Sequence, residues 1–229
     1  GKLQKPRITM EEKISAIALK STDYRENDKL LWLYSAGGKI CVIAKGVKKA
    51  GAKLKFAAEP FCFSEYFLAQ KADRFVLAGC SEIESFYDIR SDLVKYYSGS
   101  VMLEAMSLPE EKDANPAMFL LLLKSLQSLL SDQNPKIVLI KFLLDYLGLS
   151  GYRAELDSCN QCGSENFAKL YIDGALGAFV CPACRTPESR VLIPAALSIL
   201  RMTQKMPPDK LRVIKVKDEY IKQALAVLG

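Results

Sequence analysis

A chain of 229 residues, half of them apolar and a quarter charged, can bury a sizeable core in one large domain or two small ones. Its formal charge of +6 is moderate, so the placement of the lysines matters more than their total. Histidine is absent, which excludes histidine-assisted Ser or Cys nucleophiles and His-ligated zinc hydrolases. The most hydrophobic run, residues 117–123, ends at Lys124, far short of the ~20 residues a membrane span needs. The chain has no charged start followed by an apolar run and a cleavage site. The sequence therefore reads as cytoplasmic, in a reducing compartment where thiols bind metal rather than pair, with no membrane partner.

Residues 1–9 precede a Met and lack apolar periodicity, and they read as a tag remnant or disordered start. Five strands are predicted between residues 10 and 86, at 14–19, 30–34, 40–44, 61–68 and 74–78. The polar turn 23–28 separates the first two. Gly37-Gly38 joins the second and third as a hairpin. Phe61, Phe63, Tyr66 and Phe67 supply the aromatic enrichment of strands. Five short strands with tight turns point to a small closed or partly closed barrel. Cys41, Cys62 and Cys80 sit singly in these segments and read as small core hydrophobes.

From residue 87 to 156 the period becomes helical and a bundle is expected. The first helix spans 92–108. Asn115-Pro116 and Asn134-Pro135 are cap-then-proline starts. They open helices over 117–130 and 136–147, with Gly148 as the stop of the latter. The third helix is apolar nearly all round and belongs in the middle of the bundle. Residues 157–188 form a cysteine module. Over 189–229 helices return: one from Ile193-Pro194 to about 204, halted before Pro207-Pro208, and one over 218–228.

Cys159, Cys162, Cys181 and Cys184 follow the pattern Cys-x2-Cys, eighteen residues, Cys-x2-Cys, which reads as a Zn2+ site. Two thiolates three residues apart grip a cation from one tight turn, and a hairpin brings back the second pair to complete a tetrahedron. Residues 169–172 and 178–180 can be that hairpin around Gly174 and Gly177. Four thiolates leave no open position, so the site is structural. A redox dithiol normally comes once and near a βαβ pattern, which is absent. Zinc and iron are not separated by spacing alone.

Between the third and fourth strands lie Lys45, Lys48, Lys49, Lys53 and Lys55, with no acid from 45 to 56 and with glycines to keep the loop flexible. A solvated loop explains these lysines as well as phosphate contact does. Placement on a small barrel favours nucleic acid, bound through phosphates without reading bases. Tyr24, Phe56 and Phe61 are the nearest aromatic residues, the two phenylalanines fitting the core better than a base. No Gly-x4-Gly-Lys-Ser/Thr loop is present, and no enzyme or small-molecule substrate is expected. The alternative kept beside DNA is a zinc-stabilised RNA-binding or ribosome-associated module.

The order barrel, helical bundle, four-cysteine insertion, returning helix resembles the RecO family of bacterial recombination mediators. Residues 20–30, KSTDYRENDKL, resemble that family's first turn. Gly38-Lys39-Ile40 with 44–49, AKGVKK, resembles its second hairpin strand and basic loop. Glu59-Pro60-Phe61 is similar to its entry to the next strand. Residues 144–149, LDYLGL, with Cys159-Asn160-Gln161-Cys162-Gly163 and Val180-Cys181-Pro182-Ala183-Cys184, resemble its helix end and two knuckles. The resemblance runs from about residue 11 to the end, and in the family a C-terminal helix, often basic, continues past the point matching Gly229. It implies an α+β protein with an N-terminal OB-fold β-barrel, then a helical domain with an inserted four-cysteine zinc module. It also implies binding of single- and double-stranded DNA, strand annealing and help in loading RecA on SSB-coated DNA. The implied partners are RecR and the SSB C-terminal tail, with RecA indirect, and the implied setting is the nucleoid.

Overall fold

The computed structural model describes residues 11–108, 114–131, 133–167 and 169–228, and the tag or disordered start expected at 1–9 lies outside them. The contacts divide the chain into a unit ending at Leu126 and a unit beginning at Gln127.

In the first unit, β1 (Glu11–Asp23), β2 (Lys29–Ser35), β3 (Gly38–Ala44), β4 (Phe63–Lys71) and β5 (Arg74–Glu84) close a barrel in the order β1-β2-β3-β5-β4. β1 is longer than its predicted segment because it serves two neighbours. Its first half pairs with β4, from Glu11↔Ala69 to Ile17↔Phe63, and its second half with β2, from Ala16↔Ser35 to Asp23↔Lys29. The register shift between Ala18 and Lys20 bends the strand between these duties. A short parallel pairing, Val42↔Phe75 and Ile43↔Val76, completes closure.

The continuous apolar run at 16–19 has a physical reason. Ala16 and Ala18 face the barrel core with Leu31, Leu33, Val42, Tyr66 and Leu68. Ile17 and Leu19 are also buried, and helix α1 (Leu93–Ser107) lies against β1. Alternation puts Val42 and Ala44 inside and leaves Cys41 exposed opposite Trp32, which corrects the reading of Cys41 as a core residue. Cys62 is in the core and Cys80 is packed against it. Residues 61 and 62 are not strand: Phe61 takes φ +72 and is buried, after a 3-10 turn at Phe56–Ala58. Ala57 and Ala58 are small enough to close over the core, and the Tyr66 hydroxyl donates to the Ala57 carbonyl at 3.2 Å.

Asp92 caps α1, its carboxylate accepting from the Val94 and Lys95 amides at 2.8 and 2.9 Å. Asn115 accepts from the Met118 amide at 3.0 Å and starts α2 (Pro116–Leu130). In the second unit Asn134 accepts from the Lys136 amide at 3.0 Å and starts α3 (Pro135–Leu149). Gly148 is not the stop. The helix runs to Leu149, and Gly151 takes φ +86. The Gly151 amide then reaches the Gly148 carbonyl at 3.3 Å and the Tyr152 amide the Leu147 carbonyl at 2.8 Å. That double bond pattern needs a left-handed residue after the cap, so the glycine three positions later decides the end.

α3 packs with α4 (Pro194–Lys205) and α5 (Asp218–Leu225), burying Ile137, Phe142, Ile199, Leu200 and Ile221. A 3-10 turn at Pro208–Val213 joins the last two helices. The cysteine module contributes β6 (Leu170–Asp173), β7 (Ala178–Val180) and β8 (Arg190–Leu192), ordered β7-β6-β8. β8 was not predicted; three residues are too few to display alternation. The fold is mixed α+β: an OB-like five-stranded barrel, then a helical region carrying four clustered cysteines. Among the described residues no helix is long and apolar enough to cross a membrane.

Candidate metal centre and nucleic-acid surface

The hairpin β6–β7 returns the chain to the first cysteine pair, as the spacing requires. The Sγ atoms of Cys159, Cys162, Cys181 and Cys184 all lie within 4.8 Å of one another. The Cys162–Cys181 separation is 3.9 Å, against the ~3.8 Å edge of a tetrahedron built on ~2.3 Å Zn–S bonds. The first knuckle closes through the Gly163 amide on the Cys159 carbonyl at 2.8 Å, with Gly163 at φ +71. Asn160 joins knuckle to hairpin: its amide donates to the Phe179 carbonyl at 2.9 Å and its side chain accepts from the Phe179 amide at 3.0 Å. Cys159 and Cys181 are buried, beside Val180, Phe167 and Tyr171.

Burial disfavours a thiolate at Cys159. The amides of Cys181, Cys162 and Gln161 outweigh it and hold the Cys159 thiol down at about 6; the Cys181 amide lies 3.2 Å from its sulfur. The Cys184 thiol is pushed up to about 12, first by its hydrogen bond with Cys162, then by burial and the other two sulfurs. Four sulfurs this close cannot all ionise without a compensating cation, a charge that a metal ion held among them would supply. The donor set is all sulfur and its spacing fits a metal site.

Sequence reasoning missed Asp173, at the end of β6. Its buried carboxylate accepts from the Ala175 and Leu176 amides at 3.1 and 3.0 Å and from the Thr186 and Ser189 hydroxyls at 2.5 and 2.6 Å. The Ser189 and Thr186 hydroxyls, with those amides, hold the carboxyl down at about 2. One side chain thus ties the hairpin turn to the segment after the second knuckle. An Asp followed by Gly-Ala-Leu-Gly is the turn signal that could have revealed it.

On the barrel, Lys45, Lys48, Lys49, Lys53 and Lys55 are all exposed. Their segment is a series of turns rather than a flexible loop. Gly46 and Gly51 take φ +67 and +74, and Val47, Leu54 and Phe56 pack on the barrel. It is fastened to the β1–β2 turn: the Gly46 amide donates to Asp28 at 2.8 Å and the Lys48 amide to the Asn27 carbonyl at 3.1 Å. The Lys48 ammonium pairs with Asp23 at 2.6 Å, which lowers the Asp23 pKa, so Lys48 is the least available of the five.

Beside that turn, on the outer face of β2 and β3, lies a groove of about 540 Å³. Leu30, Ile43, Tyr24, Phe75, Arg74 and Lys39 are among its lining residues. Arg74, in the β4–β5 hairpin, donates to the Tyr24 hydroxyl at 3.3 Å. Lys39 is drawn to the end of α1, donating to the Ser107 carbonyl at 2.7 Å. Tyr24 was among the sequence candidates, while Arg74 and Phe75 were not. Their place in a hairpin flanking an outward-facing strand is the signal that marks them on a small barrel.

Residues 10–86 match the family model for the recombination protein O N terminal, and residues 90–229 that for the recombination protein O C terminal. The DNA repair protein RecO of Desulforamulus reducens is 32% identical over 221 residues, covering 94% of this chain and 86% of that protein. The proteins of the same name from Clostridium novyi and Bacillus pumilus are 29% and 30% identical, with the same coverage.

Proposed function

This chain belongs to the recombination protein O family, and on that footing we propose that it is a non-catalytic DNA repair and recombination mediator that holds DNA on the outer face of its barrel. In this reading the barrel spans 10–86, a helical bundle 87–156, the cysteine insertion 157–188 and returning helices 189–229. The groove beside Tyr24 carries the reading. Its lining includes apolar Leu30 and Ile43 and aromatic Tyr24, with Phe75 packed behind them against the barrel core, and Arg74, next to Asp73, brings a guanidinium. Such a slot takes unstacked bases, which only a single strand offers. The lysine segment, fixed to the same turn, neutralises phosphates of either a single strand or a duplex without reading sequence.

Strand annealing follows physically. Two complementary strands repel through their phosphates, and lysines that replace counterions lower that repulsion while leaving base edges free to pair. Four thiolates around Zn2+ leave no open position, so the metal folds its module rather than reacting; such sites contribute roughly 10–16 kcal/mol to folding. RecR and the acidic, apolar C-terminal tail of SSB are the proposed protein partners. RecA loading on SSB-coated DNA is then an indirect result, in a cytoplasmic, nucleoid-associated setting.

Fluorescence anisotropy against salt concentration tests this reading. Binding of a single-stranded oligonucleotide should show a log–log slope of roughly −3, the value for four to five neutralised phosphates. Tyr24→Ala should weaken single-strand binding about tenfold by removing one stacking partner and leave duplex binding within about threefold. A slope near zero contradicts the DNA reading. Stronger competition by structured RNA than by single-stranded DNA would favour the RNA-binding module.

A further inference from the structure

We propose that the second unit carries a phosphate-binding strip of its own, Lys210, Arg212, Lys215 and Lys217, which takes the backbone of a second stretch of DNA. This rests on the DNA-binding reading of the barrel. The strip begins in the 3-10 turn Pro208–Val213 and continues through residues 214–217, which are neither helix nor strand, to the start of α5. Leu211 and Ile214 are buried and anchor it, which turns the four cations outward, where all four are exposed.

Between Lys210 and Lys217 there is no acid, and the side chains of the four cations make no ion pair among the described residues. Asp209 and Glu219 bracket the strip. The nearer downstream carboxylate, Asp218, is already engaged, one oxygen with Lys136 and the other with Lys222 at 3.3 Å. The charge of the strip is therefore uncompensated.

The backbone is extended at Ile214 (ψ 97) and at Lys217 (ψ 139). Residues two apart in chain extended with such angles lie about 6 Å apart along it. That repeat is of the order of the phosphate spacing along a stretched single strand, so Lys215 and Lys217 can meet successive phosphates. Arg212 adds a planar fork that grips one phosphate through two hydrogen bonds. An acidic peptide with a bulky apolar anchor fits less well, because the side chains between the cations, Val213 and Val216, stand exposed rather than lining a pocket for such an anchor.

The test counts short strands per chain. In low salt, native mass spectrometry with the hexanucleotide dT6 should find two bound to the intact chain. Arg212→Glu/Lys215→Glu/Lys217→Glu should bind one, and Tyr24→Ala/Arg74→Glu should also bind one, at the strip. On a longer single strand, the triple variant should make the log–log salt slope shallower by about 2, from three lost phosphate contacts. Lys169→Glu, an exposed lysine elsewhere in the second unit, should change neither readout.

If charge reversal alters the circular dichroism spectrum, Arg212→Gln/Lys215→Gln/Lys217→Gln should still lose the second dT6. Two strands retained with an unchanged slope overturns the strip while leaving the barrel reading intact. Failure of the intact chain to bind any strand overturns both. Unchanged DNA binding with loss of an acidic peptide would assign the strip to a protein partner and overturn the proposal.

Discussion

Asp173 holds two parts of the cysteine module together with one carboxylate, and its worth lies in how completely it is satisfied. It has four hydrogen-bond donors, two from the hairpin turn and two from hydroxyls after the second knuckle. Asp173→Ala leaves those groups without their acceptor in a buried place. The knuckles should then loosen, and transfer of the metal to a chelator, followed with a colorimetric dye, should become about 10–100-fold easier, as for other groups that support metal ligands. An unchanged transfer would mean the knuckles hold without it. At this scale the gathering of the four cysteines was legible in the sequence because covalent spacing imposes their geometry. Asp173 was not, since its partners Thr186 and Ser189 come from a different turn. The pairing of Lys48 with Asp23 was hidden for the same reason: both residues look like free surface charges until the fold brings them together.

At the scale of elements, short-range signals were reliable and long-range ones were not. The Asn134-Pro135 start was legible because a cap acts within three residues. Asn134→Ala should cost about 1 kcal/mol, a fall of about 2–4 °C in Tm by calorimetry for a chain of this size; no change would show that packing alone sets the start of α3. The end of α3 was misread because a glycine inside a helix and a glycine after it look alike, and only the left-handed residue at Gly151 distinguishes them. Helix α5, eight residues long, is too short to be stable alone and is tethered to α3 by the Lys136–Asp218 pair. The Lys136 ammonium lowers the Asp218 pKa below its ordinary value. A depressed carboxyl contributes stability that is complete above its unfolded value of about 3.9 and is lost as pH falls below it. The Tm gap between wild type and Asp218→Asn should therefore be full at neutral pH and close as acid takes the medium below the ordinary carboxylate range. A gap that persists in acid would assign the effect to packing instead.

At the scale of the whole molecule, the five strands and a closed or partly closed barrel were legible in the sequence, yet the pairings that close it were not. Closure depends on β1 serving both β2 and β4 and on the two-residue parallel contact of β3 with β5, which joins segments some thirty residues apart. The basic segment was visible as composition, but the groove beside it was not. Its residues come from the β1–β2 turn, β2, β3 and the β4–β5 hairpin, and only the closed barrel gathers them. In the proposed function this gathered face acts on DNA. Annealing of two complementary oligonucleotides, followed by fluorescence quenching with and without SSB, tests it most directly, comparing wild type with Lys45→Glu/Lys49→Glu/Lys53→Glu. Wild type should speed annealing in both conditions, and the triple variant, still folded, should lose most of that acceleration as salt-dependent phosphate contacts disappear. Wild type that leaves annealing at the uncatalysed rate, or a variant that anneals as well as wild type, would contradict it.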